Sequence, residues 1–316
     1  MTADSFVVAV DPPAAPPALR GAVYAVGNFD GVHRGHRAVL GLAADVAQRA
    51  GVPTAVLTFE PHPADYFAQR PVVFRLTPFE EKAAALRDCG IGGMVSLTFD
   101  AELAGLSAQA FVEDVLVARL GVSAVIVGAD FHFGKGRSGS PDFLRRTGDA
   151  HGFRVVVADK VEDSGEAVSS TRIRRALERG DVESAAQMLG RGYRVGGEVI
   201  GGQRLGRTLG VPTANIALSP TNRLAYGVYA VNVSLGEQAF GGVASFGVRP
   251  TVDNGPPLLE TYILDFNADI YGRHIEVEFT AYLRPELKFD GLDALKAAMA
   301  KDIADARRVW EQRHRG

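Results

Sequence analysis

Two short segments combine residue types that bind phosphate at spacings a helix start can use. In Val26-Gly27-Asn28-Phe29-Asp30-Gly31-Val32-His33-Arg34-Gly35-His36, an apolar run passes straight into a glycine-punctuated turn and then a helical period. His33 and His36, three apart, share one helical face. Free backbone N–H groups and the dipole at a helix N-terminus attract phosphate, and Gly31 and Gly35 permit close backbone approach. Imidazoles placed there can contact a triphosphate. The same residues also fit a loop capped by Asp30 with surface histidines, or a His-x-x-His metal pair. The second segment is Ser169-Ser170-Thr171-Arg172-Ile173-Arg174, after the polar loop Glu162–Ala167. Hydroxyls at a helix start act as caps; with free N–H groups and two arginines they also suit a pyrophosphate.

The elements that must carry these segments change character along the chain. The first half alternates apolar runs with helical periods: Ala22–Val26, His36–Arg49, Thr54–Phe59, Pro78–Cys89, Met94–Leu97, Ala108–Leu120, Ala124–Val127 and Arg154–Val157. That is the βαβ rhythm of a parallel sheet whose strands are covered on both faces. It predicts an open α/β layer from about residue 18 to about 185. After Gly190 and Gly192 the runs Arg194–Ile200, Tyr229–Leu235, Gly242–Phe246, Leu259–Asp265 and His274–Leu283 follow one another without helices. Period-2 alternation in Tyr229–Val233 and Glu276–Phe279 predicts antiparallel strands with one wet face, closing as a small β-barrel. Leu292, Leu295, Met299, Ile303, Ala306 and Trp310 recur at helical spacing, predicting a terminal helix packed on that barrel.

Composition narrows the class. The 316 residues suit two domains, and 47% hydrophobic with 22% charged residues is ordinary globular usage. A net charge of -3, divided as −4 before and +1 after residue 188, gives neither half the basic excess of a nucleic-acid binder. The single cysteine, Cys89, excludes an intrachain disulfide and a multi-cysteine metal knuckle. No apolar run approaches the roughly 18 to 20 residues of a membrane span. The N-terminus carries Asp4 and Asp11 and only the short apolar stretch Phe6–Val10, unlike a signal peptide, so a cytoplasmic location is expected.

Taken in order, the His-x-Gly-His segment, Thr58-Phe59-Glu60-Pro61-His62-Pro63, Val127–Gly134 and Ser169–Arg174 resemble the adenylyltransferase half of the bacterial bifunctional riboflavin kinase/FAD synthetase family. Gly210-Val211-Pro212-Thr213-Ala214-Asn215, Tyr226–Val231, Gly247-Val248-Arg249-Pro250-Thr251 and Glu260–Asp265 resemble its riboflavin kinase half. The likeness covers nearly the whole chain. Two departures are Glu60, where the family often has Asp, and Ala225, where Pro is common.

The resemblance implies a Rossmann-like nucleotidyltransferase domain over residues 1–188 and a small antiparallel β-barrel kinase domain with a terminal helix over 189–316. The second would move the γ-phosphoryl of ATP to the riboflavin 5′-hydroxyl, giving FMN. The first would join FMN to the α-phosphorus of a second ATP, giving FAD and pyrophosphate. By similarity Thr213 and Asn215 are Mg2+ ligands and Glu260 is the general base. Without that resemblance, a Pro-Thr turn and the wet face of a strand are the more frequent roles for these residues. Gly202, Gly206 and Gly210, with Arg204 or Arg207, could fold over nucleotide phosphates, or form a hairpin with no ligand; the segment lacks the ending of a Walker A loop. In the first half the resemblance makes His33 and His36 stabilisers of charge on the transferring phosphates. Gly27, Asn28, Phe29, Asp30 and Gly35 would bind ATP and its phosphates, with Asn28 and Asp30 shaping the turn under the nucleotide, and Ser170, Thr171 and Arg172 would hold the departing phosphates. Lys135 and Arg137 could meet the FMN phosphate or form a solvated basic loop. The alternatives are a nucleotidylyltransferase for another substrate, disfavoured by the Pro-Thr-Ala-Asn and Glu260 segments, and a non-catalytic flavin-binding protein. An aminoacyl-tRNA synthetase lacks support, since there is no Lys-Met-Ser-Lys-Ser segment.

Overall fold

Runs that are apolar at every position become the inner strands of a parallel sheet. A computed structural model of the chain describes residues 6–201, 213–247 and 257–314. Its first strands are β1 (Val7–Val10), β2 (Val23–Val26), β3 (Thr54–Glu60), β4 (Gly93–Thr98), β5 (Ala124–Gly128) and β6 (Arg154–Ala158). They lie in the order β1-β4-β3-β2-β5-β6, every neighbour parallel. Tyr24 and Val26 pack one face with Leu57 and Val125, while Val23 and Ala25 pack the other with Val56 and Ile126. The layer begins earlier than the sequence pattern predicts, because Val7–Val10 pairs with β4 as an edge strand.

The connections include helices α1 (Arg34–Ala50), α2 (Pro63–Ala68) and α3 (Phe79–Arg87). From β2 the chain steps outward through β3 to β4, then crosses back to β5 and β6 on the other side. Winding therefore reverses between β2 and β5, and sheets of this kind place ligands beyond the carboxyl ends of the strands at that reversal. β2 leads into the histidine turn and β5 into Ala129–Gly134.

The chain divides into two compact units after Ser170. This lies earlier than the change of sequence character near residue 190. The helix Val182–Leu189 packs on strands of the second unit, and the carbonyl of Leu177, ending helix Ser170–Leu177, accepts from the N–H of Ala225.

A two-residue hairpin, β7 (Glu162–Asp163) with β8 (Glu166–Ala167), closes the first unit. The second contains β9 (Tyr193–Glu198), β10 (Thr213–Ala217), β11 (Gly227–Leu235), β12 (Gln238–Gly247), β13 (Leu258–Ile263) and β14 (His274–Arg284). They form an antiparallel sheet in the order β10-β13-β12-β11-β14-β9, and a bridge between Ile200 and Asn215 joins its outer strands. β10 is a strand where the isolated motif also fits a turn. The terminal helix, Leu292–Arg313, packs on β11 and β12. Trp310 lies so close to Gly241 that a Cβ there would come within 2.8 Å of its ring. Buried Asp302 takes both Nε and a terminal nitrogen of Arg284. Leu292, predicted on the packed stripe, is instead 63% exposed, because the helix meets the sheet only further along its length.

Candidate active sites

The first site is built on the cap of α1. His33 has extended backbone angles, and its Nδ1 accepts from the N–H of His36 at 3.2 Å, so a side chain rather than solvent satisfies one of the helix's open donors. Because Nδ1 accepts, the proton of the neutral ring resides on Nε2. The His36 ring stacks on His33 at 3.6 Å between centroids and lies 5.1 Å from Phe29. Gly35 makes room for this pair: a Cβ on it would stand 3.2 Å from the His33 ring.

Burial bears on one of the local readings. His33 is 5% exposed, so it is not a surface histidine. Among the described residues no three His, Cys, Asp or Glu side chains gather as a metal cluster.

Asp30 turns inward. Its Oδ1 accepts from the N–H groups of Leu76 and Thr77 at 3.0 Å each, and the hydroxyl of Thr77 accepts from the N–H of Gly31 at 2.8 Å. Asp30 thus braces the turn rather than presenting its carboxylate to a phosphate, which that charge would repel. Phe29 is likewise buried, and Gly27 donates its N–H to Leu57, so both serve the turn's shape. Asn28 meets the His62 ring at 3.3 Å. The hydroxyl of Ser170 donates to the Asp30 carbonyl at 2.8 Å, tying the start of the next helix to the same turn. Thr171 and Arg172 follow on that helix and belong to the second compact unit. Lys135 and Arg137 are exposed on a short helical turn.

An aromatic group stands at the ends of β3 and β4, where Tyr66 and Phe67 of α2 meet Phe99 edge-on at 5.4 and 5.8 Å. Phe59 meets Phe99 at 6.2 Å, and Phe67 remains 68% exposed.

Sequence reasoning missed the charges beneath this region. Glu60, the last residue of β3, takes Arg75 in a two-pronged pair at 2.8 and 2.5 Å and Lys82 at 2.8 Å. Lys82 is 1% exposed. A signal was present: Phe79, Lys82, Ala83 and Leu86 fall at the spacing of one helical face, so this lysine sits in an apolar stripe. Burial pushes the Lys82 ammonium below its usual pKa, against the pull of Glu60. Burial would raise the Glu60 carboxyl, but hydrogen bonds and charge from Arg75 and Lys82 prevail and bring it to about 2.

A carboxyl that titrates lower folded than unfolded stabilises the fold fully above its ordinary value of 4.5. That contribution is lost as pH falls from there towards 2. Glu60→Gln is expected to cost about 3–5 kcal/mol at neutral pH by stranding Lys82, and to flatten the acid dependence. Thermal unfolding of both proteins from neutral to acid pH checks this; identical curves would contradict it.

The second site lies on paired strands. Asn215 on β10 stands opposite Glu260 on β13, which stands opposite Ser245 on β12. Thr213 stands opposite Tyr262 one step along the same face. Ala214, Leu259, Thr261 and Phe246 alternate to the buried face, so Thr213, Asn215, Ser245 and Glu260 share the other. Directly paired side chains begin about 5 Å apart. Asn215 is nevertheless 4% exposed, and among the described residues its Oδ1 has no hydrogen-bond partner. A buried oxygen left open beside a hydroxyl and a carboxylate suits a hard cation. Ser245 is an addition that only the register reveals. Gly202, Gly206 and Gly210, with Arg204 and Arg207, lie outside the described residues, as do Val248–Thr251.

Comparison with known proteins covers both halves of the chain. A family model described as FAD synthetase matches residues 15–172, and one described as riboflavin kinase matches 189–310. A bifunctional riboflavin kinase/FMN adenylyltransferase of Pseudomonas fluorescens is 44% identical over 292 residues, 92% of this chain and 94% of that protein. The protein of the same description from Escherichia coli K12 is 41% identical over 291 residues, 92% and 93% of the two chains. A crystal structure of a Streptococcus pneumoniae protein, named as a macrolide-efflux protein, matches with a TM-score of 0.86 at 30% identity over 96% of this chain and 99% of that one. Its name transfers no activity through a shared fold. Among the described residues no helix is long and apolar enough to cross a membrane. With both family models matched in order and relatives aligned over nine-tenths of its length, the chain belongs to the bifunctional riboflavin kinase/FMN adenylyltransferase family.

Proposed function

We propose that residues 189–316 phosphorylate riboflavin with ATP to FMN, and that residues 1–188 join FMN to the AMP moiety of a second ATP, giving FAD and pyrophosphate. The observation that carries this reading is a separate constellation in each compact unit: capped, stacked histidines at the reversal of one sheet, and Asn215 paired with Glu260 on the other.

In the kinase half, Glu260 accepts the proton of the riboflavin 5′-hydroxyl as that oxygen bonds to the γ-phosphorus of ATP and the bond to the β–γ bridging oxygen breaks. Thr213 and Asn215 would hold Mg2+ at this site, and the ion, when bound, would neutralise charge on the phosphates. In the adenylyltransferase half, an FMN phosphate oxygen bonds to the α-phosphorus and pyrophosphate departs. No protein nucleophile is needed. His33, through Nε2–H, and His36 donate to the phosphate oxygens whose charge grows in the transition state. Asn28, Asp30 and Gly35 set the turn, and Ser170, Thr171 and Arg172 hold the leaving phosphates. The reactants and the single cysteine suit a cytoplasmic enzyme.

The exposed ring of Phe67, with Tyr66 and Phe99 behind it, offers the flat isoalloxazine of FMN a stacking surface. Phe67→Ala is expected to raise the KM for FMN by roughly 2- to 10-fold, the worth of one aromatic pair, with the KM for riboflavin unmoved. Unchanged FMN affinity would remove Phe67 from the site.

The reading as a whole is tested by incubating the purified protein with riboflavin, excess ATP and Mg2+ and separating the flavins over time. FMN should appear first and FAD after it. If folded protein forms neither, the enzymatic reading fails.

A further inference from the structure

Beneath the histidine turn lies an ion network that neither reaction uses directly. The Lys82 ammonium donates to Glu60 Oε1 at 2.8 Å and lies 3.4 Å from the hydroxyl of Thr58. That hydroxyl, fully buried, donates to the carbonyl of Asn28 at 3.2 Å. On the other side Glu60 grips Arg75, whose Nε stands 3.8 Å from Asp30 Oδ1. The next two residues after Arg75, Leu76 and Thr77, are those whose N–H groups Asp30 takes.

Both ends of the network therefore finish on one four-residue turn. Thr58 holds the turn at the Asn28 carbonyl, and the Arg75–Thr77 segment holds it at the Asp30 carboxylate and the Gly31 N–H. Replacing a buried ion pair by apolar groups is often neutral for stability, so stability alone gives little reason for burying a lysine here. Such a group instead fixes geometry, and this turn leads directly into the capped histidine.

We propose that Lys82 is a positioning residue for adenylyl transfer, fixing the turn Asn28–Gly31 through Thr58 on one side and through Glu60 and Arg75 on the other. The proposal rests on the reading of the first unit as the adenylyltransferase. Lys82 touches no substrate in this account. Its loss displaces the groups that do, and that penalty falls on the transition state more than on binding.

The test measures both activities of the full chain for the wild type, Lys82→Met, Thr58→Val and Thr58→Ser. Lys82→Met and Thr58→Val should lower kcat for FMN-to-FAD conversion by between about tenfold and a hundredfold, as sub-ångström misplacement does, with the KM for ATP changed less than about threefold. Riboflavin phosphorylation by the same preparations should remain at the wild-type rate. Thr58→Ser, which keeps the hydroxyl, should restore kcat. Folded Lys82→Met and Thr58→Val proteins with wild-type kcat would overturn the proposal. If Lys82→Met fails to fold, Thr58→Val decides alone, since it leaves the ion pair in place; wild-type kcat in that variant overturns it. An effect confined to KM, or Thr58→Ser behaving like Thr58→Val, also counts against it. Wild-type protein that makes no FAD would sink the adenylyltransferase reading and this proposal with it, whereas normal wild-type synthesis with unaffected variants sinks the proposal alone.

Discussion

Glu260→Ala is expected to slow the conversion of riboflavin to FMN by roughly 10²–10⁴, while the same protein given FMN and ATP still makes FAD. A general base is worth roughly 10²–10⁴ in rate, and Thr213 and Asn215 remain when it is removed. The loss should therefore appear in kcat at that scale, with the KM for ATP little changed. The fold should survive. Glu260 faces away from the core formed by Leu259, Thr261 and Ile263, and alanine keeps the strand's ladder to β10 and β12 intact. FMN formation within about tenfold of wild type would remove Glu260 from the role of base, because a base contributes more than that. Loss of FAD formation from supplied FMN, in folded protein, would contradict the separation of the sites.

His36→Ala does the reverse: riboflavin is converted to FMN, which accumulates. One donor to a developing phosphate charge is worth about 10²–10³ in rate. His36 is a cleaner choice than His33. The bond to Nδ1 of His33 comes from the backbone N–H of residue 36, so the cap of α1 survives the substitution. His33→Ala removes the cap as well and adds about 1 kcal/mol of instability to any loss of chemistry. Equal rates of FAD formation in wild type and His36→Ala would exclude His36 from the reaction.

The first unit's strands are readable from sequence because burial on both faces leaves runs such as Val23–Val26 and Ala124–Gly128 without polar interruptions. Val7–Val10 escapes that test. It is an edge strand with Val8 and Val10 partly exposed, and a short half-buried run looks the same whether or not it pairs. Thr213–Ala217 is harder still. Threonine and asparagine after a proline read as a turn, and the strand that makes them a strand begins at Leu258, far along the chain. The histidine motif offers phosphate chemistry by its spacing but leaves surface histidines or a metal pair open, and the duty of Asp30 depends on N–H groups 46 and 47 residues away. The second site shows the same limit. Resemblance singles out Asn215 and Glu260 separately, and only strand register makes them neighbours and adds Ser245. Amphipathic helices such as Val182–Leu189 show that they pack, not which sheet they cover, which is why the division after Ser170 is not visible in composition.

Two independent sites on one chain that act in sequence on one flavin can be separated and recombined. The most direct test mixes the Glu260→Ala and His36→Ala proteins, supplies riboflavin, ATP and Mg2+, and measures FAD. Separately, the first protein should leave riboflavin unchanged and the second should stop at FMN. Together they should make FAD, since FMN released by one reaches the intact adenylyltransferase of the other. If folded proteins that fail separately also fail when mixed, the two-site account is contradicted.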